Sequence, residues 1–151
     1  MKLSSKARYG LKAMCHMAEN YGNGVLCLPM LAENIGVSEK YLEQLISILR
    51  KAGLVDANRG ANGGYFLAKM PDEITVGEIL RALEDNLIIV DCISGECDGN
   101  CGCHTNSSEQ FAPSHKSDGK CNCNTYNVWN KLYEAINDCL DSMSLASLIN
   151  R

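Results

Sequence analysis

Residues 38–65 read SEKYLEQLISILRKAGLVDANRGANGGY. Leu42, Leu45, Ile46 and Leu49 fall at i, i+3, i+4 and i+7 and form one apolar stripe, which predicts an amphipathic helix over 39–52. Ser38 is placed as its N-cap, and Gly53 follows Arg50 and Lys51 of the last turn as a helix-ending residue. The other face carries Glu39, Lys40, Glu43, Gln44 and Ser47, groups able to hydrogen-bond base edges. Strands are expected near 54–57 and 64–68, joined by a turn that sets Arg59 before Gly60 and ends in Gly63-Gly64. A helix followed at once by a basic, glycine-tipped hairpin is the plan of a winged helix-turn-helix. The helix enters the major groove, and the wing arginine reaches phosphate or the minor groove.

An amphipathic helix with a polar face is in most proteins only a surface helix, so the surroundings matter. A shorter helix over 29–35 precedes it, and Gly36-Val37-Ser38 has the length of a helix-turn-helix joint. Charge is divided unevenly. Residues 1–70 hold nine Lys+Arg against five Asp+Glu, net +4, and residues 71–151 hold five against thirteen, net −8. The overall −4 therefore conceals a basic front, a local footprint suited to a polyanion. From this surface Tyr41, Glu43 and Gln44 are expected to face bases, and Ser38, Lys40, Arg59 and Gly60 to lie against the DNA backbone or the minor groove.

Upstream, a helix from about Ser5 to Tyr21 turns Leu11, Met14, Met17, Ala18 and Tyr21 inward. Downstream, Pro71 ends the wing and Thr75 caps a helix over 76–84. A last helix starts near Asn124 or Thr125, with Trp129, Leu132, Tyr133, Ile136, Leu140 and Met143 on one stripe. A stripe that long needs a partner surface. A second copy of the chain is the natural candidate, with folding back on its own domain as the alternative, and a two-fold dimer suits recognition helices one DNA turn apart. The expected fold is mainly α with a small β-wing. The winged helix-turn-helix occupies 1–85, a cysteine-rich loop 86–124, and a dimerisation helix with its tail 125–151.

The 46% hydrophobic content supports a core, and no run of about 18 apolar residues predicts a membrane span. No apolar run with a cleavage site follows the N-terminus, so a cytoplasmic protein is expected. In that reducing compartment nine cysteines point to metal or redox chemistry rather than disulfides. Cys15, Cys27 and Cys139 are read as small buried hydrophobes. Cys92, Cys97, Cys101, Cys103, Cys121 and Cys123, with His104, sit in a polar segment unable to bury a core of its own. Their spacings point to metal or redox chemistry without choosing the metal: most zinc sites show paired knuckles, and iron–sulfur clusters accept looser spacings. No nucleophile–base motif is present, and Gly60 to Gly64 lacks the following Lys-Ser/Thr of a phosphate loop, so no enzyme is expected.

The opening KLSSKARYGLKAM, the segments YLEQL and LRKAGLV, the wing RGANGGY and the closing VWNKLYEAINDCLDSMSLASLI resemble the IscR-like winged-helix regulators, with NsrR and CymR as relatives. The wing departs at Ala61-Asn62, where many members carry Pro-Gly. The resemblance covers nearly the whole chain. It implies a homodimer that binds a double-stranded operator and, in many members, a 2Fe–2S cluster on three loop cysteines. Cys92 matches the first ligand, and Cys123, six residues before Trp129, matches the third. Cys97, Cys101 and Cys103 compete for the second, with CISGEC favouring Cys97. The histidine that completes the site in IscR is replaced by Tyr126, which leaves His104, another loop cysteine or a partner residue as fourth ligand. A cluster-free, thiol-responsive regulator working with a metabolic enzyme is the alternative. A metal-storage or electron-transfer protein is a distant third, because it leaves the winged-helix elements without a role.

Overall fold

The structure is a computed structural model and describes residues 3–60, 62–84, 87–90, 93 and 125–149. Its elements are α1 (Ser5–Glu19), α2 (Leu28–Ile35), α3 (Glu39–Lys51), β1 (Val55–Asn58), β2 (Gly64–Leu67), α4 (Val76–Leu83), α5 (Tyr126–Ser142) and α6 (Leu145–Ile149). They fall into two compact units, one of residues 2–87 with 137–151 and the other of residues 88–136 with Met1.

The larger unit is a helical cluster with a wing. Local chemistry sets each boundary. Ser4 Oγ accepts from the backbone N–H groups of Lys6 (3.1 Å) and Ala7 (3.4 Å) and starts α1. Gly36 ends α2 at φ +80°, a left-handed conformation in which the Gly36 and Val37 N–H groups both return to the Ala32 carbonyl. That turn delivers Ser38, whose side chain caps α3. Thr75 and Glu78 form a reciprocal capping box at α4, each side chain accepting from the other's backbone N–H.

Packing follows the stripes. Met14 and Met17 of α1, Leu31 of α2, and Leu42, Ile46 and Leu49 of α3 are buried in one core. Each such side chain contributes roughly 1.5–3 kcal/mol by leaving water. A Cβ on Gly10 would run into the Leu83 side chain, so this glycine lets α1 and α4 lie close. Tyr21 departs from expectation. It lies beyond the end of α1 and is 47% exposed, because the helix stops at Glu19 and the chain turns away at 20–24.

The wing is antiparallel, with Val55 opposite Leu67 and Asn58 opposite Gly64. It gains a third, one-residue edge that the sequence pattern did not predict. Leu26 exchanges both backbone hydrogen bonds with Tyr65, at 2.9 and 2.8 Å. Gly64 permits this, since a Cβ there would stand 2.5 Å from the Leu26 carbonyl oxygen. The chain's last described segment belongs to the same unit. The Leu145 N–H donates to the Ile74 carbonyl and the Val76 N–H to the Met143 carbonyl, while Leu145 is fully buried in the main core. Leu140 and Met143 pack on a smaller cluster of Ala7, Val76, Leu80 and Leu87.

In the other unit, the Val128 and Trp129 N–H groups open α5 by donating to the Thr125 carbonyl. No residue of α5 is buried within one chain, and Val128 and Leu132 are 61% and 44% exposed. No helix among the described residues is long and apolar enough to cross a membrane.

Candidate nucleic-acid interface

α3 presents its polar face to solvent because its stripe is fully used by the core. Leu42, Leu45, Ile46 and Leu49 are buried, which leaves Lys40, Glu43, Gln44 and Ser47 exposed. Ser38 Oγ accepts from the Tyr41 N–H at 3.3 Å, so the hydroxyl proton remains able to donate outward. The N-terminal end of the helix carries the positive end of its dipole, the polarity a phosphate prefers. Among the described residues no ion pair engages Lys40 or Arg59, and no side-chain hydrogen bond engages Glu43 or Gln44. These side chains hold no structural partner that DNA would have to displace.

The wing tip begins where the ladder closes at Asn58 and Gly64. Arg59 is exposed as the first tip residue, and Gly60 follows at φ +124°, with its carbonyl accepting from the Gly63 N–H at 2.9 Å. A residue with a Cβ is strained in that conformation. α3, its cap and the wing therefore lie in one unit.

One neighbour was not anticipated. The Tyr41 ring, half-buried, meets the Tyr9 ring of α1 edge to face, with centroids 6.2 Å apart and planes at 88°. Arg8 lies over the Tyr9 ring at 4.8 Å and donates to its hydroxyl at 3.0 Å, and Lys12 Nζ stands 6.0 Å from the ring. The only sequence signal was two cations four residues apart flanking a tyrosine on α1, and it says nothing about contact with α3.

The cysteines divide. Cys92, Cys97, Cys101, Cys103, Cys121, Cys123 and His104 lie outside the described residues. Of the three scattered cysteines, Cys15 is half-buried beside the core, and burial together with the Glu19 carboxylate pushes its thiol pKa up. Cys27 and Cys139 are exposed, which corrects their reading as buried hydrophobes. Cys27 occupies the extended N-cap position of α2, and Cys139 lies on α5 beside the stripe that one chain leaves unburied.

Residues 3–151 match the Rrf2 family, described as iron-dependent transcriptional regulators. This chain belongs to the Rrf2 family. Among Rrf2 relatives, IscR of Aliivibrio salmonicida is 39% identical over 149 residues, which span 99% of this chain and 77% of that protein. The solved structure of T. potens IscR superposes with a TM-score of 0.68 at 39% identity, covering 99% of this chain and 86% of the other. The structure of CymR, the global cysteine regulator of B. subtilis, gives 0.72 at 36% identity, covering 99% and 96%. The Rrf2 chain is thus a winged-helix transcriptional regulator similar to both IscR and CymR, and the relatives it matches are regulators rather than enzymes.

Proposed function

We propose that this Rrf2 protein is a homodimeric regulator that reads a pseudo-palindromic operator through α3 and the wing, under control of a 2Fe–2S cluster in the segment 86–124. The observation that carries the DNA-binding part is the cap-anchored α3, whose polar face and flanking Lys40 and Arg59 have no partner among the described residues. Tyr41, Glu43 and Gln44 read base edges, while Ser38, Lys40, Arg59 and Gly60 engage phosphate or the minor groove. The stripe of Trp129, Leu132, Tyr133 and Ile136, none of it buried within one chain, supports pairing of α5 with a second copy.

The cluster assignment rests on the donor set. Six cysteines and His104 are concentrated in a polar stretch of a protein whose family is described as iron-dependent. Soft thiolates fit such a centre, and Cys92, Cys97 and Cys123 are the residues proposed to hold it, with Cys101, Cys103, Cys121 and His104 in reserve. When bound, a 2Fe–2S cluster supplies a one-electron redox centre whose potential depends on its ligands and solvent exposure. Zinc on the same thiolates is the other metal the donors accept. The likeness to CymR favours a second reading, a cluster-free regulator that responds to thiol state and acts with a metabolic enzyme. In either reading DNA control is a shift between two populations of different operator affinity.

The absorbance spectrum of anaerobically purified protein separates these readings. The cluster predicts visible charge-transfer bands that disappear in Cys92→Ala, Cys97→Ala and Cys123→Ala and persist in Cys101→Ala, Cys103→Ala and Cys121→Ala. A colourless protein with one zinc per chain supports a thiolate zinc site. A colourless, metal-free protein after reconstitution supports the thiol-responsive regulator.

A further inference from the structure

We infer that Tyr9 of α1 is a positioning residue for sequence recognition, holding the Tyr41 ring in the orientation that reads the operator. The inference rests on the proposed base-reading role of Tyr41 and adds a residue outside α3 and the wing.

Tyr41 is fixed at two points. Its backbone N–H donates to the Ser38 cap at 3.3 Å, and its ring abuts Tyr9 at 6.2 Å and 88°. The second contact lies within the range of favourable edge-to-face pairs. Tyr9 is itself held, with the Arg8 guanidinium 4.8 Å from its ring centre and hydrogen-bonded to its hydroxyl at 3.0 Å. A long aromatic side chain at the start of a recognition helix otherwise has several rotamers available to it, and each brings its hydroxyl to a different place in the groove. Restricting that choice before binding favours one base pattern over others. It changes little in phosphate contacts, which depend on charge. The signature is therefore a loss of discrimination with sequence-independent binding retained.

The test uses the full-length protein and a duplex selected from a random library by the wild type, compared with the same duplex carrying a scrambled core. Tyr9→Leu is expected to reduce the ratio of selected to scrambled affinity by roughly three- to tenfold. It is expected to leave scrambled-duplex affinity and its salt dependence unchanged. Tyr9→Phe keeps the ring and is expected to restore most of the ratio. In a Tyr41→Leu background, Tyr9→Leu is expected to have no further effect on it. Equal weakening on both duplexes, or full additivity in the double variant, overturns the inference while leaving the DNA-binding reading intact. A wild type that selects no sequence at all overturns both. A second measurement needs no disruptive substitution. With ring-labelled tyrosine, an edge-to-face pair gives one ring upfield-shifted protons that return to ordinary values in Tyr41→Leu, and absence of that shift also overturns the inference.

Discussion

Gln44 and Lys40 lie one turn apart on α3, both exposed, and differ in what they offer DNA. The Gln44 amide is a donor and an acceptor in fixed relation, suited to one base edge. Gln44→Ala is expected to cost ~1–3 kcal/mol on the preferred base pair and nothing on a scrambled site. Lys40 is a point charge, so Lys40→Ala should weaken all sequences alike and lower the salt slope by about one. A salt titration on two duplexes measures both. Cys15 tests burial from another direction. Only the thiolate attacks a maleimide, and a pKa raised by burial and by Glu19 leaves less thiolate at any pH below it. Cys15 is therefore expected to be labelled after the exposed Cys27, and its rate should keep rising with pH into the alkaline range. Mass mapping of timed alkylation at several pH values checks this, and simultaneous labelling would contradict the burial seen here.

At the scale of elements, most of what was readable in the sequence was local. The four-residue spacing of Leu42 and Ile46, the cap at Ser38 and the glycine at 53 fixed α3 to within a residue, because stripe and caps lie inside one short window. The wing was legible for the same reason, its turn lying between strands adjacent in the chain. What escaped was non-local or too short for a period. The pairing of Leu26 with Tyr65 is a single bridge with no alternation to announce it, and α6 has five residues, fewer than two turns. The contact of Tyr9 with Tyr41 depends on how α1 crosses α3, which no window of sequence encodes. Gly64 shows how much one such contact carries. In Gly64→Ala the new methyl would press on the Leu26 carbonyl and part the two backbone hydrogen bonds of the bridge. The expected loss is about 2 kcal/mol of stability, about 1 per bond, together with weaker operator binding. Denaturant titration and gel shift measure the two effects.

At the scale of the whole molecule, α5 has no buried residue within one chain, and the proposed dimer would cover it. Leu140 and Met143 find partners in their own unit, whereas Val128 and Leu132 remain largely exposed. Ile136→Glu places a charge on that stripe and is expected to give monomers by sedimentation at micromolar concentration. Because two linked half-sites bind far more tightly than one, operator affinity should fall by roughly a hundredfold or more while α3 itself is unchanged. A dimeric Ile136→Glu variant would remove α5 from the interface. The cysteines proposed to hold a cluster lie outside the described residues. The sequence shows their kind and concentration, but which of them come together depends on loop closure over about thirty residues, which composition does not encode.

The return of Leu145 to the core beside Ile74 also fixes an order of events during synthesis. A ribosome releases the chain from its first residue onward at roughly 5–20 residues per second. α3 and the wing, the proposed DNA-reading elements, emerge early, but the core of their unit lacks the buried Leu145 side chain and its backbone bond to Ile74 until residues 145–149 have left the exit tunnel. Every cysteine of the segment 92–123 has been made by then. A nascent chain stalled anywhere within that segment has α3 without its finished core, so on the proposed function a prematurely ended product is a poor competitor for the operator. On the proposed function, the DNA-reading unit is completed only after the whole cysteine-rich segment exists.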